Sequence, residues 1–252
     1  MKGFKEKAAG IYLIIAILLI WEFSVRLGYI DTPSVPKVSQ IFITWFEVLV
    51  SGELISEIIP SLQRVFMGYA LAILVGVPLG LFMGTNKFVY SLLEPITELL
   101  RPIPSAAYVP VAILFLGIGN QMNVFVIFLS CVFPILLNTF GGVKGVDPVL
   151  IDTGRTFGYS KPKILKKIVL PSVLPEIFTG MRISLGIALI VVVVSEMIAG
   201  NSGIGYFILN SQQFFKIPQM FVGIFTLGII GYLLNWSFLK LEQRVLRWRI
   251  QA

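Results

Sequence analysis

The chain has 252 residues, 56% of them hydrophobic and only 13% charged, with a mean hydropathy of +0.89. Soluble domains carry about 25% charged residues, so water cannot be the only solvent of this surface and a lipid bilayer is the expected one. The absence of histidine and the single cysteine, Cys131, remove the commonest general base and transition-metal ligand and exclude both a disulfide framework and a Cys-based zinc site.

Lys2, Lys5 and Lys7 precede an apolar stretch that is followed by Trp21, Glu22 and Phe23 instead of a small-residue cleavage site. That pattern reads as a retained first span, about Gly10 to Leu27, and not as a signal peptide. Glu22 lies near its end, where an interfacial carboxylate is the ordinary reading. Pro36 to Val50 places Ile41, Phe42, Trp45, Phe46 and Leu49 at helical spacing, which predicts an amphipathic helix, either on the outer interface or packed on the spans. The second span covers Val65 to Met83. Gly76, Gly80 and Gly84 recur on it every fourth residue, a spacing that lets helices approach closely but is also common in membrane helices.

Glu94 and Glu98 are one helical turn apart before Arg101. They fit a cytoplasmic connecting helix with Glu98 near Arg101 better than an acid/base pair. The third span, about Ile103 to Ile118, is short and holds Pro104 and Pro110; a proline-bent helix starting near Leu99 is the alternative. The remaining spans cover Met122 to Phe140, Ile177 to Ala199 and Met220 to Leu239. About six helical spans of roughly 20 residues make this an all-α polytopic membrane protein. Residues 1–60 read as a first span plus an extracytoplasmic interfacial segment, and 61–252 as the core.

Between the fourth and fifth spans lies a polar island, Asp147 to Pro171, with Lys161, Lys163, Lys166 and Lys167 in its second half. Asp147 followed by Pro148 is a helix start, and the first helix should run to about Phe157. Gly158 breaks the pattern. Ser160 and Pro162 restart it, and Pro171 and Pro175 should end the second helix before the fifth span. Gly154, without a side chain, could let another protein pack against the backbone. A solvated basic loop that only enforces topology is the rival reading.

Charge placement sets orientation. Fifteen of the twenty basic residues fall on the face that carries both termini and the island. Basic loops stay cytoplasmic, which also accounts for the net charge of +7 without a nucleic-acid partner. Glu196, with Ser195 beside it, sits late in the fifth span. Buried intramembrane carboxylates are paired or face a cavity, so the two are candidates for the pathway or a gate; an interfacial or structural hydrogen-bonding carboxylate is the alternative. Neither Ser130 nor Ser195 can form a Ser/His pair. No phosphate-binding loop of the G-x-x-x-x-G-K-[ST] type is present.

Asp152-Thr153-Gly154, three residues, Gly158, nine residues, then Ile168, Leu170 and Pro171 resemble the EAA loop of ABC importer permeases. Asp152, Thr153 and Gly154 stand where that loop has Glu-Ala-Ala. Ser61 to Ala72, Gly76 to Gly84, Arg101 to Pro104, Leu170 to Arg182, Ser195 to Met197, Gly203 to Tyr206 and Leu241 to Arg249 resemble the nitrate/sulfonate/taurine branch of that family. The resemblance implies an all-α permease fold and a prokaryotic inner-membrane location. It implies no catalytic residue, metal or cofactor on this chain, with ATP and Mg held by a separate ATPase subunit. It further implies a homodimer of permease copies, an extracytoplasmic binding protein, and a small anionic solute such as a sulfonate, taurine or nitrate. Asp152, Thr153, Gly154, Arg155 and Gly158 would dock on the ATPase, with Ile168, Leu170 and Pro171 orienting them. An ion-coupled carrier, or a permease for a vitamin precursor, riboflavin or bicarbonate, is the alternative.

Overall fold

The computed structural model describes residues 2–30 and 32–249, and among these there are helices and turns but no strand. In chain order the helices are α1 (Lys2–Arg26), α2 (Val38–Val50), α3 (Glu53–Thr85), α4 (Lys87–Leu100), α5 (Tyr108–Leu116), α6 (Asn120–Lys144), α7 (Pro148–Thr156), α8 (Lys161–Ile164), α9 (Leu170–Ala199), α10 (Ile204–Gln213) and α11 (Ile217–Val245). Four continuous helical stretches among the described residues are long and apolar enough to cross a bilayer: α3, α6, Lys161–Ala199 and α11. The pair formed by α4 and Ser105–Leu116, bent by 89°, makes a fifth. Helix α1 carries the run expected as the first span, so six remains an approximate count. The side chains of Lys2, Lys5 and Lys7 lie outside the described residues.

The core is built by α3, α6 and α9. Glycine decides how closely α3 can lie on α6. A β-carbon at Gly80 would sit 2.6 Å from the Leu136 carbonyl oxygen, and one at Gly68 2.7 Å from Ile127. Gly76 and Gly84 meet Val132 and Val143 in the same way. In lipid, where burial of apolar surface supplies little between helices, such close packing is the main source of association. Ala72, Val126, Ile127, Ile135 and Ala188, all fully buried, fill the three-helix seam. On the far side of α9, Phe178 meets Phe238 of α11 at 5.8 Å between ring centres.

Helix α2 packs on α3 and α11 through Ile41, Val48 and Trp45, and the Trp45 indole donates to the Thr226 hydroxyl at 3.0 Å. Its other face presents Phe42, Ile43 and Phe46 outward. Glu22 from α1 accepts from the backbone N–H and hydroxyl of Ser39, at 3.0 and 2.9 Å, and ties the start of α2 to the end of α1.

Two expectations are corrected. The helix carrying the second span begins at Glu53, so a boundary at residue 60 falls inside α3. Pro171 and Pro175 do not end a separate loop helix: α8, a π-helical turn over Leu165–Val169 and α9 run as one 39-residue helix. A proline removes a donor and crowds the carbonyl four residues earlier, and a wider turn placed just before Pro171 absorbs both effects. Glu98 stands three residues before Arg101 at the end of α4, and Glu94 accepts from the Tyr90 hydroxyl.

Candidate functional site

The polar island folds into a seated helix. Asp147 caps α7 by accepting from the Val149 N–H at 2.9 Å, and Pro148 occupies the first turn, where its missing N–H is not needed. The chain then reverses at Gly158, whose φ of +71° suits glycine. Ile151, Tyr159, Ile164 and Ile168 join Val143, Val146, Val169 and Val173 in one apolar cluster, and α7 rests on α8 and the π-helical turn that lead into α9. The Lys163 ammonium lies 4.0 Å from the centre of the Tyr159 ring and closes the corner.

This seating fixes what each island residue can do. Gly154 is buried and faces inward; a β-carbon there would meet Ile168 Cδ1 at 2.5 Å. Its lack of a side chain serves packing within the loop and not an outside surface. Asp152, Thr153, Arg155 and Gly158 are exposed, and Asp152 accepts from Arg155 at 2.9 Å. Ile168 and Leu170 are half-buried beneath α7, and Pro171 is exposed at the start of α9. The outer side of α7 also carries Val149, Leu150 and Phe157, exposed at 66%, 48% and 76%. Sequence reading passed over these three. The signal available was their alternation with Ile151 and Gly154, which puts them on the opposite side of a short helix. Isolated apolar residues on a surface are ordinary, but these three lie close together on a nine-residue helix and its C-cap, beside a charged pair.

A second feature crosses the membrane domain. Three cavities, of about 650, 330 and 400 Å³, lie along the face where α6 and α9 meet the bend between α4 and α5. The first and second share Arg101, Leu137 and Asn138, and the second and third share Ser105 and Ile187. They therefore form one groove. Along α9 it runs from Ser172 to Val194, about 33 Å at 1.5 Å per residue, which matches the roughly 30 Å of bilayer hydrocarbon. Its island end is polar, with Arg101, Asn138, Asp147 and Glu176, and its far end is apolar, with Val126, Ile190 and Val194.

Glu196 and Ser195 are not in this groove. Both are fully buried. The Glu196 carboxylate accepts from Arg64 Nη1 at 2.7 Å, from the Ser61 hydroxyl at 2.8 Å and from the Gly205 N–H at 2.9 Å. Arg64 spends its remaining donors on Asn120 Oδ1, the Ser202 carbonyl and the Ser202 hydroxyl, at 2.7–2.8 Å. Ser61 accepts from the Ile204 N–H at 2.8 Å, and Glu57 accepts from the Gly203 N–H. Three of the free N–H groups at the start of α10, those of Gly203, Ile204 and Gly205, are thus met by side chains of α3 and α9. Ser195 donates to the Val192 carbonyl of its own helix at 3.0 Å. Arg64 is the partner that sequence reading missed; an arginine beside the α3 apolar run and a carboxylate in α9 were the two halves of the signal.

The described residues thus form a helical membrane domain with a seated, exposed α7 and a groove of membrane length. Residues 76–247 match the family described as "Binding-protein-dependent transport system inner membrane component", and the chain belongs to that family. It is 33% identical over 240 residues, 95% of its length and 87% of the relative's, to the protein assigned as the aliphatic sulfonates transport permease SsuC in Bacillus subtilis (strain 168). It is 30% identical over 249 residues, 97% of its length and 90% of the relative's, to the taurine transport system permease protein TauC of Escherichia coli (strain K12). Among solved structures, the inward-facing MetNI methionine ABC transporter superposes with a TM-score of 0.65 over 76% of this chain and 95% of that one, at 19% identity. The chain is a membrane permease subunit of the nitrate/sulfonate/taurine branch of ABC importers, working with an ATPase and a binding protein, and it is not itself an enzyme. The reading as an ion-coupled carrier is set aside by this membership.

Proposed function

We propose that this permease moves a small oxyanion-bearing solute, of the sulfonate, taurine or nitrate kind, inward along the groove, and that α7 is the element through which ATP drives it. The exposed face of α7 carries the reading: Val149, Leu150 and Phe157 beside the Asp152–Arg155 pair. Because α7 rests on the helical run that continues into α9 and Ile151 shares an apolar cluster with Val143 of α6, a push on it moves the walls of the groove. Two copies of this chain, each supplying one groove, would enclose a pathway, with two ATPase subunits beneath them holding ATP and Mg. Both termini and the island lie on the cytoplasmic side in this arrangement, as the placement of the basic residues supports. The names of the relatives support the solute class. Glu196 acts as a fixed clamp for α10; its complete burial against Arg64 supports that role over a gate.

The test is ATP-driven uptake by the complete transporter in proteoliposomes with Phe157→Ala and Gly158→Trp. Uptake should be lost while membrane insertion stays intact. Normal uptake in both variants would overturn the assignment of α7.

A further inference from the structure

Helix α11 is the least covered of the four continuous spans. In its most apolar stretch 17% of the residues are buried, against 33% in α3 and 44% in α6 and in Lys161–Ala199. Toward its C-terminal end one side packs inward through Phe238, which meets Phe178 of α9 at 5.8 Å between ring centres. The opposite side stays bare. Ile229, Tyr232, Leu233, Trp236, Lys240 and Arg244 are all exposed. At 3.6 residues per turn they fall within about 120° of arc, centred opposite Phe238. Arg247 follows in the next turn and is also exposed. The Lys240 ammonium lies 3.6 Å from the centre of the Trp236 ring, a cation–π contact that keeps the charge in line with the stripe. Lys240, Arg244 and Arg247 form no ion pair among the described residues. Glu242, the one carboxylate of α11, turns its Oε2 into the protein, where it is buried.

The stripe changes chemistry along its length as one leaflet does. The apolar run from Met220 to Leu239 is about 30 Å long at 1.5 Å per residue, the thickness of bilayer hydrocarbon. Lys240 therefore stands at the hydrocarbon edge. Arg244 lies about 6 Å beyond it, inside a headgroup layer about 5–8 Å deep. Tyr232 and Trp236 sit just below, at the depth where amphipathic rings collect. Basic residues on one side of a membrane enforce topology wherever they fall, and topology requires no alignment with an apolar face. Here the cations are unpaired, in register with that face and at the height of a lipid phosphate, and guanidinium donors match phosphate oxygens. We infer that this end of α11 is a binding site for one anionic phospholipid. Its acyl chains lie along Ile229 and Leu233, and its phosphate rests on Lys240 and Arg244, with Arg247 adding charge from the next turn. The inference concerns neither the solute nor the coupling helix, and stands on the membrane setting alone.

The test uses the complete transporter in detergent, mixed with equal amounts of phosphatidylglycerol and phosphatidylcholine of the same acyl chains. Native mass spectrometry counts the lipids retained. A basic residue near an anionic headgroup favours it about fivefold. The ratio of retained phosphatidylglycerol to phosphatidylcholine should therefore fall at least about fivefold from wild type to the Lys240→Gln/Arg244→Gln/Arg247→Gln variant. The charge-preserving Lys240→Arg/Arg244→Lys/Arg247→Lys variant should keep the wild-type ratio. Co-purification with the ATPase should be unchanged in both, which separates a lost ligand from a misfolded chain. Equal ratios in the wild type and the glutamine variant, as expected if a protein partner covers the stripe, would overturn the inference. So would an equal fall in both variants, which would make packing and not charge the cause. Displacement of the retained lipid by glycerol 3-phosphate at the same concentration would show a site for the headgroup alone and would overturn the lipid assignment.

Discussion

Removing the Glu196 carboxylate is the sharpest perturbation of the fold. In Glu196→Ala, Arg64 stays 2% exposed and loses its counter-charge at 2.7 Å. Removing one partner of a buried ion pair costs about 3–5 kcal/mol, because the other charge is left uncompensated. Arg64→Met should cost the same for the mirror reason, so independent effects would sum to about 6–10 kcal/mol. The double variant leaves no buried charge. Its cost comes from groups that lose a partner, chiefly the Gly205 N–H and the Asn120 and Ser202 acceptors, at about 1–3 kcal/mol for each that stays unsatisfied. With two of these left unsatisfied the loss is about 2–6 kcal/mol, below the sum of the single effects, so the two substitutions couple. Reversible unfolding in mixed detergent micelles, followed by tryptophan fluorescence and circular dichroism on all four proteins, measures it. Additive single effects, or a neutral Glu196→Ala, would refute the clamp.

Further expectations concern packing and coupling. Gly80→Val places methyl groups where a β-carbon is already 2.6 Å from the Leu136 carbonyl oxygen; it should destabilise the chain by about 1–3 kcal/mol in the same unfolding assay. Gly154→Leu must displace Ile168 and lift α7, so it should abolish co-purification with the ATPase, whereas Gly154→Ala meets only the flexible end of Ile168 and should retain it. Gly158→Trp strains a position with φ of +71° by about 1–2 kcal/mol and adds bulk to an open face; membrane insertion should survive, and binding-protein-stimulated ATP hydrolysis should fall to the unstimulated level.

Spans were legible in the sequence because lipid imposes one rule, a continuous apolar run of sufficient length, and the runs around Val65 to Met83, Met122 to Phe140 and Met220 to Leu239 obey it. The island was legible because Asp147-Pro148 and Gly158 are local signals that need no tertiary information. Helix α10 was missed because ten residues with Asn210, Gln212 and Gln213 are too short and too polar to register as a span. The continuity of the helix through Pro171 was missed because proline stops a helix by default, and the π-helical turn that admits it depends on how Leu165 to Val169 pack. The partnership of Arg64 with Glu196 joins residues 132 positions apart, and the groove exists only once α6, α9 and the bend at Arg101 are brought together. Neither pairing can be read from one stretch of sequence alone.

Cys131, the one cysteine of the chain, is fully buried, so Asp152→Cys would carry a single accessible thiol on the exposed face of α7. Thiol crosslinking from that position in the assembled transporter tests most directly whether α7 is the ATPase-coupling element. The account expects a specific crosslink to the ATPase subunit whose yield changes between the nucleotide-free and ATP-bound states. A complex that stays assembled and active yet gives no crosslink to the ATPase in either state would contradict it.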